Sequence, residues 1–270
     1  MFDLKNKNVI VTGAAGLLGS RFCDIILKHN GTPILLDLDK AKLFKISKKL
    51  MTKYKKEIFF YNLDITNELN IKKNSLMLLK KFKKIDALIN NAAYNPTFGN
   101  SKEFLHNEFE TFSIDQWNKE INVGLTGSFL CAKHYGKIIA KNKKGGSIIN
   151  ISSDLGLIGP NQDLYSHIKK NNKRYYKPVS YSVVKSGLIG LTKYLSTYWA
   201  KNNVRCNALC PGGIETDQSK IFLNKIHELI PLKRMAKKDE YLSTIIWMLS
   251  DKSSYLNGSI ISVDGGRTAW

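Results

Sequence analysis

The chain has 270 residues, 43% hydrophobic and 24% charged, a globular balance that excludes a wholly disordered chain and leaves ample material for a core. No apolar run approaches the ~20 residues needed to cross a bilayer, which excludes a membrane-spanning helix. The net charge of +20 would suit a nucleic-acid partner, but the lysines are scattered between apolar residues at helical spacing and read as solvated helix faces, so no nucleic acid is expected.

Short apolar runs alternate with longer amphipathic segments along the chain. Asn8–Thr12 has the β-branched pattern of a buried strand, and residues 17–29 read as a helix with Leu18, Phe22, Ile25 and Ile26 on one face. Residues 33–37 form the next strand. A Lys-rich helix over 39–52 turns Leu43, Ile46 and Leu50 inward. A third strand (57–62), a third helix (68–84) and a fourth strand (86–90) follow. Residues 94–112 have no sustained period and read as loop. Ser113 and Gln116 then match the spacing of a capping box, opening a long helix that runs, with or without a break, to about Lys141. Gly146–Ile151 is a fifth strand, 180–200 a helix with Ser180 placed to cap it, and 204–209 a sixth strand. Helices over 219–230 and 239–249 and a strand over 259–263 complete the series. Strands alternating with helices imply βαβ units and a mainly parallel sheet. The fold class is α/β, and residues 1–270 read as a single doubly wound domain of about seven strands. Ligands of such sheets bind beyond the carboxyl ends of the strands, at the topological switch point.

The start Met1-Phe2-Asp3-Leu4-Lys5 lacks the basic-then-apolar order of a secretory signal. Cys23, Cys131, Cys206 and Cys210 form no CxxC pair and are too few for a disulfide scaffold, so a reduced, cytoplasmic protein is expected. His29, His106, His134 and His227 lack metal-ligand spacing, and no metal is assigned.

Chemistry-bearing residues sit just after strands. Thr12-Gly13-Ala14-Ala15-Gly16-Leu17-Leu18-Gly19 joins the first strand to the first helix. Glycines there allow a tight turn and let the backbone approach a pyrophosphate, to which the helix presents unpaired N–H groups. Asp37 ends the second strand. A carboxylate there can accept hydrogen bonds from ribose hydroxyls and would repel a 2′-phosphate, which favours NAD(H) over NADP(H). Tyr181 and Lys185 share one helix face at i and i+4. A free phenol, with a pKa of about 10, exchanges protons poorly near neutrality; an adjacent ammonium lowers that value and makes the pair a general acid/base. Ser152 and Ser153 follow strand five, Asn90 and Asn91 follow strand four, and Pro211-Gly212-Gly213 reverses the chain after strand six.

With these residues in place, the chain resembles the short-chain dehydrogenases/reductases, classical type, over essentially its whole length. The carriers are TGAAGLLG (12–19), Asp64-Ile65, NNAA (90–93), Asn122, SSDLG (152–156), YSVVK (181–185), PGGIET (211–216) and VDGG (263–266). The resemblance implies a Rossmann-type fold and a catalytic tetrad of Asn122, Ser153, Tyr181 and Lys185. Tyr181 would be the acid/base, Lys185 would lower its pKa and bind the nicotinamide ribose, Ser153 would orient the substrate oxygen, and Asn122 would hold a relay water. It further implies a cofactor site of Gly13, Gly16, Leu18, Gly19, Asp37, Asp64, Ile65, Asn91, Ala92, Tyr181, Lys185, Pro211, Ile214 and Thr216.

Two departures stand out. Leu17 occupies a position where classical members carry glycine, and NNAA replaces NNAG. The stretch from Ser153 to Tyr181 is also about twice the usual length. The extra segment, near 161–178, holds His167, Lys169, Lys170, Lys173, Arg174 and Lys177. It reads either as a disordered basic loop or as a wall contacting an anionic substrate, with Arg174 the favoured anion ligand because a guanidinium binds phosphate in two places. Ser153, Tyr181 and Arg174 are thus the candidate substrate contacts. Details such as KPVSYSVVKSGLIGLTKYL and VDGGRTAW resemble a bacterial subgroup tied to flagellin modification and surface sugars. That implies an NAD(H)-dependent oxidoreductase interconverting a secondary alcohol and a ketone on a sugar, sugar phosphate or nucleotide sugar. The alternatives are a non-redox epimerase or dehydratase retaining NAD, or a basic nucleic-acid-binding protein on a degenerate dinucleotide fold. A homodimer or homotetramer, paired through the helices near 115–141 and 181–200, is expected.

Overall fold

Aliphatic runs too short for helices become strands covered on both faces, and the segments between them become helices with one apolar stripe. The computed structural model describes residues 2–94, 107–170 and 173–270. In chain order the elements are β1 (Asn8–Thr12), α1 (Leu17–Lys28), β2 (Thr32–Asp37), α2 (Lys40–Tyr54), β3 (Phe59–Asn62), α3 (Glu68–Phe82) and β4 (Ala87–Asn90). Then come α4 (Ile114–Ile121), α5 (Gly127–Cys131), α6 (Lys137–Ile139) and β5 (Gly146–Ile151). The remainder is β6 (Lys169–Lys170), β7 (Lys173–Arg174), α7 (Val179–Tyr198), β8 (Val204–Pro211), α8 (Lys220–Glu228), α9 (Leu242–Leu249) and β9 (Ile260–Val263).

Seven strands form one sheet in the order β3-β2-β1-β4-β5-β8-β9, all pairs parallel. The chain runs outward from β1 through β2 to β3 and returns on the other side at β4. The switch point therefore lies between the carboxyl ends of β1 and β4. Alternate residues of a strand feed opposite layers. Val9, Val11 and Leu35 pack with Phe22 and Ile26 of α1 and Ile245 and Leu249 of α9. Ile10, Ile34 and Leu88 pack with Ile71 and Leu78 of α3 and Tyr135 and Ile139 of the long helical stretch.

Ser113 caps α4 by accepting from Gln116 N–H, as the spacing predicts. The helical path from Ile114 to Ile139 is interrupted by two π turns, Asn122–Thr126 and Ala132–Gly136. The first adjoins α7: a Cβ on Gly124 would lie 2.5 Å from Val184 Cγ1, so the two helices approach more closely than any side chain at 124 permits. Several boundaries differ from expectation: β3 starts at Phe59 and α9 at Leu242. β8 runs on to Pro211. Ser180 does not cap α7, which starts at Val179 behind Pro178; its hydroxyl donates instead to the buried Glu120 carboxylate of α4. Of the loop expected over 94–112, residues 95–106, His106 among them, lie outside the described residues.

The segment near 161–178 is a folded unit. Asn161 caps a 3₁₀ turn, Gln162–Tyr165, and β6 pairs antiparallel with β7. Leu164, Tyr165 and Tyr175 bury themselves against Ile226 of α8, Ile230 and Met235 in a third apolar cluster. Lys225 of α8 donates to Asp163 O and Ser166 Oγ. Apolar anchors on both sides order the described residues of the segment, which speaks against a wholly disordered loop.

Candidate active site

At the switch point Gly13 takes φ +61°, and a Cβ on Gly19 would fall 2.1 Å from Gly13 O, so the turn closes only with glycine there. Gly16 N–H donates to Gly13 O, and Gly16 heads α1 with no side-chain cap and no acidic residue in its first turn. The N–H groups at that end are free for an anion. Asn91 holds the turn: its Nδ2 donates to Thr12 O and Gly13 O, and its N–H and that of Ala92 both donate to Thr12 Oγ1. Asn91's amide hydrogens therefore serve the glycine turn. Leu18 is half-buried against the first core layer.

Asp37 Oδ2 accepts from Ala15 N–H and Oδ1 from Asp39 N–H. Each oxygen keeps a further lone pair, so the carboxylate can still take ribose hydroxyls. Asp64 commits Oδ1 to Thr66, and Ile65 is buried beside Gly127 of α5. Pro211 ends β8 buried, Ile214 bridges to Ala236, and Thr216 is exposed with its N–H on Gln218. A dinucleotide fits what is present: an uncapped helix end of 12 residues, a turn closed by glycines, and a carboxylate at the end of the neighbouring strand.

Ser153, Tyr181 and Lys185 gather past the carboxyl end of β5. Ser153 is buried and hydrogen-bonds Tyr181. Lys185 Nζ donates to Ile151 O at 2.8 Å and lies 5.7 Å from the Tyr181 ring centroid. Burial pushes the Tyr181 phenol up, the Ser153 hydrogen bond works against this, and the Asp154 charge adds to it. Burial, then the nearby Lys177 charge, lowers Lys185 to about 8. A phenol hydrogen-bonded to Ser153 and set beside an ammonium can pass a proton to a carbonyl oxygen.

The structure does not bring Asn122 to this cluster. Its side chain is exposed and meets Thr126 Oγ1 at 3.5 Å. Gly124 faces α7, and two residues along a helix lead to the far side of the cylinder. Arg174, expected as an anion ligand, donates through Nη2 to Gln162 O and Asp163 Oδ1 and stacks near Tyr176, tying the inserted segment to itself. The side chains of Lys169, Lys170 and Lys173 lie outside those described.

Sequence reasoning missed two residues. Asp154 accepts from Ser153 Oγ at 2.7 Å, and Arg267 Nη1 reaches Asp154 Oδ2 at 2.6 Å, both side chains buried. A charged residue inside SDLG and another after VDGG were the available signals, but no spacing rule joins positions so far apart. Among the described residues no group of three His, Cys, Asp or Glu could hold a metal ion, and no helix is long and apolar enough to cross a membrane.

A doubly wound sheet with an anion-ready glycine turn at its switch point, and a Ser/Tyr/Lys cluster beside it, defines a dinucleotide-dependent dehydrogenase. Residues 13–268 match the family model described as enoyl-(acyl carrier protein) reductase. The chain is 30% identical over 263 residues to the post-translational flagellin modification protein A of Campylobacter coli, covering 97% of this chain and 98% of that one. It is 31% identical over 268 residues to the 3-oxoacyl-(acyl-carrier-protein) reductase of Thermotoga maritima, covering 97% and 98%. The solved short-chain dehydrogenase of Leptospira borgpetersenii with bound NAD+ superposes with a TM-score of 0.84 at 28% identity, covering 98% of this chain and 94% of that one. The chain belongs to the short-chain dehydrogenases/reductases and is an oxidoreductase that works with a nicotinamide cofactor.

Proposed function

We propose that the chain is a single-domain, NAD(H)-dependent oxidoreductase that interconverts a secondary alcohol and a ketone on a sugar, sugar phosphate or nucleotide sugar. One observation carries the reaction class: Ser153, Tyr181 and Lys185 meet just beyond β5, beside the switch point. Asp37 supports NAD(H), since a carboxylate at the end of β2 repels a 2′-phosphate and no basic side chain of the glycine turn offsets it. The sugar rests on the resemblance of KPVSYSVVKSGLIGLTKYL and VDGGRTAW to a subgroup tied to surface sugars, and likeness to a protein named for flagellin modification agrees with that subgroup.

Gly13, Gly16 and Gly19 shape the pyrophosphate turn, Asp37 takes the ribose hydroxyls, Asp64 and Ile65 border the adenine, and Ile214 and Thr216 the carboxamide. In the reducing direction bound NADH supplies the hydride for the carbonyl carbon. Tyr181 gives its hydroxyl proton to the carbonyl oxygen, and in oxidation takes it back. Lys185 stabilises the resulting phenolate, and Ser153 hydrogen-bonds the reacting oxygen, steered by the Asp154–Arg267 pair. Val183, Tyr194 and Tyr198 of α7, with Ile114 and Phe129 of the long helical stretch, remain exposed; they support a homodimer or homotetramer paired through these helices.

The test is fluorescence titration with NADH and NADPH, paired with a screen of sugar phosphates and nucleotide sugars for NADH production. NADH should bind more tightly than NADPH, and Asp37→Ala should narrow or invert that ratio. Failure to bind either cofactor sinks the reading; an unchanged ratio in Asp37→Ala removes the role given to Asp37.

A further inference from the structure

Lys177 closes the inserted segment one turn before Tyr181. Its Nζ stands 3.9 Å from the Tyr181 ring centroid, nearer than Lys185 Nζ at 5.7 Å. Its base is fixed: the Lys177 N–H donates to the Gln162 side chain, Arg174 holds the Gln162 carbonyl, and Pro178 follows. Among the described residues Lys177 Nζ has no hydrogen-bond acceptor and no ion-pair partner, only the ring. Among the described residues the other cations near the site have partners. Lys185 has Ile151 O, Arg267 has Asp154, and Arg174 has Gln162 and Asp163.

The nearest carboxylates do not supply the missing partner. Asp154 is occupied by Arg267, Ser153 and Leu155 N–H, and Glu120 by Ser180 and Gln116. Both act on Lys177 only from beyond contact, partly opposing the burial that lowers its pKa to about 8. A desolvated ammonium is costly unless an anion meets it. Lys177 itself is half-buried and ends the segment that lengthens the chain between Ser153 and Tyr181.

We propose that Lys177 is a specificity-determining residue, binding an anionic oxygen, carboxylate or phosphate, that the substrate carries close to the carbon reacting at Tyr181. This rests on the reading of Tyr181 as the group that meets the reacting oxygen. A point-charge ammonium suits either anion and forms a charge-assisted hydrogen bond with it. The groups facing Lys177 are Tyr181 and Lys185 from α7, Asp154 from beyond β5 and Glu120 from α4. Since the two carboxylates are already paired, loss of the Lys177 proton above pH of about 8 should remove the anion site.

The experiment is a ³¹P NMR titration of the NADH-loaded protein with inorganic phosphate, with acetate added as competitor. Wild type should bind phosphate, Lys177→Met should weaken it by at least about tenfold, and Lys177→Arg should preserve it. Lys144→Ala, which removes an exposed lysine elsewhere, should change nothing. Binding by wild type should weaken between pH 7 and 9, and that dependence should vanish in Lys177→Met. Displacement by acetate extends the site to carboxylates; phosphate that acetate cannot displace restricts it to phosphates. Unchanged phosphate binding in Lys177→Met, an equal loss in Lys144→Ala, or no binding by wild type overturns the proposal. NADH fluorescence on the same samples separates the two readings. Absent NADH binding by wild type would refute the dehydrogenase reading, while the phosphate comparison among variants still decides the role of Lys177.

Discussion

Tyr181 combines a hydroxyl hydrogen-bonded to Ser153 with a ring approached by two lysine ammoniums. Its conversion to Phe keeps the ring packing and removes the proton. Tyr181→Phe should therefore lose turnover by about a hundredfold or more while NADH affinity, read by fluorescence, stays close to wild type; near-normal turnover would show that another group moves the proton. Arg267 makes a different prediction. It lies buried on Asp154, which in turn accepts from Ser153. Removing one partner of a buried ion pair strands the other, at about 3–5 kcal/mol. Arg267→Met should lower the urea midpoint accordingly. The double replacement Arg267→Met with Asp154→Leu should recover much of that loss, because no charge is then left unpaired. Tyr181 and Lys185 could be paired from sequence, since i and i+4 on a helix share a face. Asp154 and Arg267 could not, because they meet only after the chain end returns beside β5.

At the scale of elements, hydrophobic period was informative where an element is long and packs on the sheet. β1, α1 and β5 appear where their patterns put them because each apolar position has a layer to enter. Ser180 shows the limit. A serine near the start of an apolar helix has the composition of a cap, yet here it lies inside the first turn of α7 and donates to the buried Glu120 of α4. Asn122 shows another. A polar residue among apolar ones marks an anomaly, but only the π turn and the close approach of Gly124 to Val184 decide which side faces α7. The inserted segment owes its order to α8, so the apolar contacts should dominate its stability. Leu164→Ala should cost about 2–4 kcal/mol if the segment unfolds only with the whole. A smaller loss in the urea midpoint, with new proteolytic cleavage between 161 and 178, would show that the segment opens by itself.

For the whole molecule, the pH dependence of stability follows from two lysines whose burial lowers them to about 8. In the unfolded chain a lysine titrates near 10.4. Between those values the unfolded state holds more protons than the folded one, so stability contributed by these groups rises with pH from about 8 toward 10. Above about 10 the buried tyrosines reverse it: burial raises Tyr165, Tyr175 and Tyr241, and the folded state then holds the extra protons. Urea midpoints at pH 7.5 and 9 should rise in wild type and rise less in Lys177→Met; parallel lines would show that Lys177 is not desolvated. Assembly is the other property of this scale. Tyr194 and Tyr198 stack on each other at the exposed surface of α7, largely uncovered among the described residues. Light scattering at micromolar concentration should give a dimer or tetramer, and Tyr194→Glu with Tyr198→Glu should shift it toward monomer. A monomer mass for wild type rejects the assembly.

The sequence by itself determined the alternation of strands and helices, the glycine turn, Asp37 at a strand end and the Tyr181/Lys185 pair. Each depends on residues near one another in the chain, where period, turn chemistry and helical spacing act directly. Only the tertiary structure set the Lys177 ammonium beside the Tyr181 ring. The sequence favoured Arg174 for its chemistry. The fold pairs Arg174 with Gln162 and Asp163 and, among the described residues, gives Lys177 over Tyr181 no counter-ion. Which charges are already neutralised depends on contacts between distant parts of the chain. These are settled by packing the segment on α8 and the C-terminal strand region on the loop after β5.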